Sequence, residues 1–217
     1  MSSTSLLVTR PRHDETTTYL YYWASLLINT AQDKDLTVYD LLEDKANSSL
    51  LKSYVEKNNP QLVFFNGHGS PTQIAGHNNE ILIEYNRNEH LLANRIVYAL
   101  SCSSSKVLGK SCVDKGTNAF IGYSDEYVFV TNAQFTTKPL QDKVAKLFLE
   151  PSNLVVTALI KGNTVGEAYS RSKNALIKNL RLALSSQASQ EQRGVAEYLW
   201  ADINIFTVYG NLEASIR

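Results

Sequence analysis

Apolar residues along this chain fall into short solid runs separated by longer amphipathic stretches. Leu6-Leu7-Val8-Thr9 is the first run and predicts a buried strand. Asp14 can then cap a helix whose apolar positions Tyr19, Tyr22, Trp23, Leu26 and Leu27 share one face. Leu36 to Tyr39 predicts a second strand, and Ser48 to Lys57 a helix broken by Asn58-Asn59-Pro60. Leu62 to Phe65 is the third strand, Ile96 to Leu100 the fourth and Ala119 to Ile121 the fifth. Between the third and fourth lie a hairpin from Gln73 to Glu84, turning at Gly76 to Asn79, and a short helix from Glu89 to Asn94. Ser103 to Lys115 predicts a helix ended by Gly116. Thr164-Val165-Gly166-Glu167 reads as a capping box opening a helix that buries Val165, Ala168, Tyr169, Leu176 and Leu180. Ile203 to Val208 is the sixth strand.

Strands alternating with helices imply an α/β fold with about six mostly parallel strands and helices on both faces. With 217 residues and no repeat, low-complexity tract or linker, residues 1–217 read as a single domain. A hydrophobic fraction of 43% is enough for a packed core. Acidic and basic residues balance at 21 each, which argues against direct nucleic-acid binding or an anionic membrane surface. No apolar run approaches the roughly 20 residues of a membrane span, and no signal peptide is visible at Met1 to Ser5. The two cysteines, Cys102 and Cys112, would stand about 15 Å apart along a connecting helix, too far for a disulfide. Free thiols suit a cytoplasmic location.

Two of the apolar runs stop at reactive side chains. Leu62-Val63-Phe64-Phe65-Asn66-Gly67-His68-Gly69 ends at His68, and Ile96-Val97-Tyr98-Ala99-Leu100-Ser101-Cys102 ends at Cys102. Ligands of parallel sheets bind beyond the carboxyl ends of the strands. If the third and fourth strands are neighbours, about 4.8 Å apart, the two side chains face one crevice. A histidine that takes the proton of a cysteine thiol is the working pair of a cysteine hydrolase. Either residue alone has a plainer reading: a histidine at a strand end as a structural hydrogen-bonder, a cysteine as core filler. Cys112 takes that plainer reading. Zinc held by His68, His77, His90 and Cys102 matches no compact ligand spacing, so no metal or other cofactor is expected.

At these residues the chain resembles the caspase-like cysteine peptidases of clan CD, which include caspases, gingipains, legumains, separases and the bacterial CHAT domains. The family has an apolar strand ending in His-Gly, then one ending in a small residue and Cys. Gly116-Thr117-Asn118-Ala119-Phe120-Ile121-Gly122-Tyr123 is similar to the strand after the nucleophile in gingipain-like and CHAT members, and Phe206-Thr207-Val208-Tyr209-Gly210 resembles the end of a CHAT domain. The resemblance implies a caspase-like three-layer sandwich and a cysteine endopeptidase acting through a His68–Cys102 dyad, with the Gly69 and Cys102 N–H groups as the oxyanion hole. It implies no obligatory third residue, and no carboxylate suited to orient His68 stands out. If Cys102 opens the following helix, the helix dipole favours its thiolate. The pattern departs from metacaspases and clostripain, which carry an acidic residue where this chain has Leu100, and the caspase nucleophile pentapeptide is absent.

Specificity is open between three readings. Asp125 with Glu126 would recognise a basic side chain, Arg10 with Arg12 an acidic one, and Tyr123, Tyr127 or Phe129 an apolar one. The expected partners are a protein or peptide substrate and a regulatory partner or larger assembly, because 217 residues leave little room for a regulatory domain. The main rival is an inactive caspase-like interaction module. Rossmann-like binding and α/β-hydrolase chemistry lack their G-x-G-x-x-G, P-loop and G-x-S-x-G signatures here.

Overall fold

Alternation within the apolar runs decides the layering. The computed structural model describes residues 4–216. Met1 to Ser3, part of the stretch read for a signal peptide, lie outside the described residues. In β1 (Ser5–Arg10), Leu6 and Val8 enter one core and Leu7 the other. The chain continues through α1 (Glu15–Gln32), β2 (Thr37–Leu42), α2 (Ser48–Asn58) and β3 (Leu62–Asn66). A small antiparallel sheet follows: β4 (Gly69–Ser70), β5 (Gln73–Ala75) and β6 (Ile81–Glu84). Then come β7 (Ile96–Leu100), α3 (Leu108–Asp114) and β8 (Ala119–Tyr123). The last elements are α4 (Lys143–Ile160), α5 (Val165–Ala183), α6 (Gln190–Arg193), α7 (Ala196–Ile205) and β9 (Phe206–Gly210).

The main sheet has the order β2-β1-β3-β7-β8-β9. Every pairing in it is parallel except β8 with β9. Residues of α1, α4 and α5 cover one face, over Leu6, Val8, Phe64, Tyr98 and Ile121. Residues of α2, α3 and the β5–β6 hairpin cover the other, over Leu7, Val63, Phe65, Val97 and Phe120. This is the expected α/β sandwich with a six-stranded, mostly parallel sheet. Among the described residues, no helix is long and apolar enough to cross a membrane.

Three stretches differ from the sequence expectation. The helix expected from Ser103 begins only at Leu108. Ser103 has φ +55°, and its N–H donates to the Asp125 carbonyl (2.8 Å) while the Ser105 N–H donates to that of Tyr123 (3.1 Å). Long-range bonds to the end of β8 therefore take the donors that a first helical turn would direct elsewhere. The apolar run from Ile203 is helical as far as Ile205 and extended from Phe206, because Leu199 and Asp202 first turn inward on a helix.

The third difference is α4, which sequence patterning passed over. Thirteen of its eighteen residues are buried, so it carries little polar stripe, and Pro151 within it looks like a helix breaker. Proline removes the N–H that would reach the carbonyl four residues back. Here that carbonyl, on Leu147, instead accepts from the Asn179 side-chain amide of α5 at 2.7 Å.

Candidate active site

Four strands that are consecutive in the sheet, β1, β3, β7 and β8, end at one edge. Each sends a short segment into the same region: residues 11–14, 67–70, 101–105 and 124–127. Asn66 and Leu100 are the last register pair between β3 and β7. His68 and Cys102 each lie two residues beyond it. The Gly67 N–H still donates to the Leu100 carbonyl (3.4 Å), which keeps the two segments together past the strand ends. Gly67, at φ +138°, adopts a backbone that residues with side chains avoid. At Gly69 a methyl group would lie 2.9 Å from the Cys102 carbonyl oxygen, so only glycine allows this approach. The Ala75 N–H donates to the His68 carbonyl (2.9 Å), and strand alternation therefore turns the Gly69 N–H away from β5.

His68 has a carboxylate partner that the sequence reading missed. Asp14 Oδ2 lies 2.5 Å from His68 Nε2. Asp14 also caps α1, as expected: its Oδ1 accepts from the Thr17 N–H at 2.7 Å, and the Thr17 hydroxyl closes a reciprocal box with the Asp14 N–H. Partial burial alone would raise the Asp14 pKa. The hydrogen bonds from Thr17 and His68 outweigh it and hold the carboxyl down at about 2. It is ionised at neutral pH, so the proton in the 2.5 Å contact sits on Nε2, leaving Nδ1 as the free acceptor. The available clue was that Asp14 follows the strand adjacent to β3. A second oxygen distinguishes Asp from the equally good cap Ser.

Cys102 is partly buried, and its Sγ donates to the Tyr127 carbonyl at 3.6 Å. Burial pushes its pKa up, and the Tyr127 carbonyl contact does not offset this; the nearby carboxylates Glu126 and Asp202 push the same way. The helix-dipole argument for a standing thiolate fails, because α3 starts six residues later. At rest Cys102 is a neutral thiol. Its alkylation by iodoacetamide is therefore expected to be slower at pH 7.5 than that of a free cysteine and to keep rising above the ordinary cysteine titration range. Fast labelling with a plateau below pH 7 would contradict this. Cys112 is buried in the core, its pKa pushed up to about 12 mainly by burial, and it will not compete for the reagent.

The specificity candidates separate by environment. Arg10 is buried and bonded to Asp40 through two nitrogens and to the Tyr21 carbonyl through a third, with Tyr21 stacked 4.3 Å from its guanidinium. These bonds tie the end of β1 to β2 and α1. Arg12 pairs with Glu43 at 3.4 Å on the surface. Tyr123 and Tyr127 are buried with their rings 4.4 Å apart and both hydroxyls on Ser152. They are core residues rather than the walls of an open pocket. Asp125 is exposed, and the bond from the Ser103 N–H to its carbonyl ties it to the residue after Cys102.

Asp202 is a further residue the sequence reading passed over. It is fully buried; its Oδ1 accepts from the Val128 N–H (3.2 Å), and its Oδ2 has no hydrogen-bond partner among the described residues. Burial pushes its pKa up to about 8 despite that bond. Among the described residues, one group has geometry suited to a metal ion: His13, Asp14 and His68. His77 packs against His13, whereas His90 and Cys102 stand outside the group, so the four-residue set weighed from sequence does not converge.

No family model matches the sequence, and no curated protein matches it. Solved structures do. The crystal structure of the Arg-specific cysteine proteinase gingipain R superposes with a TM-score of 0.63 at 11% identity, covering 99% of this chain and 47% of that one. The complex of Porphyromonas gingivalis RgpB pro- and mature domains gives 0.59 at 10% identity, covering 99% and 48%. This chain thus spans about half the length of the structures it matches. What order of strands, helices and crossovers can establish at such identity is the fold, and this chain has the caspase-like α/β fold of the gingipain cysteine proteinases.

Proposed function

We propose that this protein is a cysteine endopeptidase in which Cys102 is the nucleophile, His68 the general base and Asp14 the residue that positions His68. The observation that carries this reading is the placement of His68 and Cys102 two residues beyond one register pair of adjacent strands, with an ionised carboxylate on Nε2 of the histidine. Nδ1 of His68 takes the thiol proton as Sγ attacks the scissile carbonyl. The oxyanion is received by the N–H groups of Gly69 and Cys102. The imidazolium then protonates the leaving amine, and water hydrolyses the acyl-enzyme. Asp14 keeps Nδ1 unprotonated before attack and stabilises the imidazolium after it.

Asp125 and Glu126, carried on the loop bonded to Ser103, favour a basic residue before the scissile bond. The raised thiol pKa of Cys102 suits an enzyme that is quiet until substrate or a protein partner settles on the site. One of the structural relatives was solved as a complex of pro- and mature domains, which is the kind of protein partner this reading anticipates.

Cleavage of a diverse peptide library, with and without source-cell lysate, tests the proposal. Wild type is expected to cut after Lys or Arg, Cys102→Ala not at all, and Asp125→Ala with that preference reduced at least tenfold. Cutting that needs lysate identifies an activator. No cutting under either condition, with Cys102 inert to electrophilic peptides, would favour the inactive interaction module.

A further inference from the structure

His13 is a part-buried histidine whose two ring nitrogens are both buried and, among the described residues, without a hydrogen-bond partner. Its side chain is 10% exposed, and among the described residues no hydrogen bond reaches Nδ1 or Nε2. An imidazole has two polar nitrogens, and burying both unmet is costly. Its backbone is nevertheless fixed: the His13 N–H donates to the Thr17 hydroxyl at 3.0 Å. Its ring stands edge-on to His77 at 5.3 Å and to His68 at 5.8 Å. His77 is itself held, its Nδ1 accepting from the Arg12 N–H at 3.3 Å. His13 Nε2 lies 3.7 Å from the same Asp14 Oδ2 that meets His68 Nε2.

We propose that His13, Asp14 and His68 form a binding site for one zinc-class divalent ion. Two imidazoles and a carboxylate match zinc and the neighbouring transition metals rather than calcium or magnesium, which prefer all-oxygen shells. Tetrahedral bonds of about 2.0–2.2 Å separate donors by about 3.4 Å. That falls between the 2.5 Å contact of His68 with Asp14 and the 4.8 Å that bounds the three ligand atoms. The Asp14 oxygen not used for the metal stays on the Thr17 N–H, which fixes the carboxylate. Asp14 and His68 are each more than a third exposed, so an ion can enter and water can take the fourth position.

Occupancy would switch off the base, a consequence that rests on the peptidase reading. With Nε2 of His68 on the metal, the ring proton moves from Nε2 to Nδ1. Nδ1 is the nitrogen that must accept the Cys102 proton, and it becomes a donor. No proton is gained or lost, and no redox partner is needed.

Titration calorimetry of the chelator-treated full chain with zinc sulfate tests the site, with the cobalt(II) absorption spectrum as a second readout. Wild type is expected to bind one equivalent at micromolar or lower concentration. Cys102→Ala is expected to bind equally well, and His13→Gln at least tenfold more weakly. Cobalt bands of a tetrahedral nitrogen–oxygen site, without a thiolate charge-transfer band, fit the proposal even if His13→Gln folds poorly. No uptake below millimolar zinc, unchanged binding by a folded His13→Gln, or a thiolate band lost in Cys102→Ala would overturn it. If peptide cleavage is present, zinc is expected to inhibit it reversibly. Zinc binding without any cleavage by the metal-free protein, with or without source-cell lysate, would support the site and remove the peptidase reading, whereas cleavage without zinc binding would do the reverse.

Discussion

Replacing Asp14 with serine is expected to lower kcat for peptide cleavage by about 10²–10⁴ while leaving KM and thermal stability nearly unchanged. The two jobs of Asp14 use different oxygens. Oδ1 caps α1 through the Thr17 N–H, and Oδ2 holds His68 Nε2. Serine is as good a helix cap as aspartate, so helix stability should change by only a few tenths of a kcal/mol. It has no second, charged acceptor for the histidine. The imidazole then loses its fixed tautomer and the counter-charge for the imidazolium formed during attack. In a serine-protease triad, disabling the equivalent carboxylate costs about 10⁴ in kcat, which sets the upper end of the range. Asp14→Asn keeps the cap and the shape, but its amide can present an N–H to Nε2 and drive the ring proton onto Nδ1, so it should be as impaired as serine. A purely structural role predicts the opposite split: a lower melting temperature with kcat intact. Parallel kinetics and melting of both variants decide between them, and an Asp14→Ser enzyme within threefold of wild type in kcat would remove Asp14 from the mechanism.

Asp14 also shows which parts of the site were legible in sequence. His68 and Cys102 could be found because each ends an apolar run, and a parallel sheet gathers its strand ends at one edge. Asp14 was visible only as a cap, since local pattern assigns one role per residue and the contact with His68 spans 54 positions. His13 has no local signature at all; what distinguishes it is burial without a partner, a property of the folded state. The four central strands, β1, β3, β7 and β8, were read to within two residues of their ends because they are buried on both faces and nearly all apolar. The stretch after Cys102 was misread because the Ser103 and Ser105 N–H groups bond to the Asp125 and Tyr123 carbonyls at the end of β8, and α4 was missed because a helix buried nearly all round loses its stripe. Arg10 was read as a possible contact for an acidic side chain, and its bond to Asp40, 30 residues away, has no local signature. The misses at Asp14 and after Cys102 share one physical origin: a long-range partner overrides the local pattern.

Asp202 supplies the second large effect, on stability rather than catalysis. Its carboxyl is fully buried with one oxygen unpartnered, and burial pushes its pKa to about 8, against about 4 for an unfolded aspartate. The folded state therefore holds a proton that the unfolded chain releases. Where the native state binds more protons, stability falls as pH rises. The fall begins near pH 4, continues through neutrality and levels off near pH 8, where the folded carboxyl also ionises. At 1.36 kcal/mol per pH unit, the full span amounts to on the order of 5 kcal/mol. Removing the titration in Asp202→Asn should flatten that slope, since the amide oxygen can still accept from the Val128 N–H. Asparagine brings two buried donors of its own, so the slope is the readout, not the absolute melting temperature. Thermal unfolding of both proteins at intervals from pH 5 to 8 should show the wild type losing stability steadily and the variant much less. Parallel curves would mean that Asp202 reaches water or a partner in the folded state. A steep wild-type slope would establish that a neutral carboxylic acid sits under the Val128 N–H at neutral pH, and that its charge opposes the Cys102 thiolate only once it ionises near pH 8.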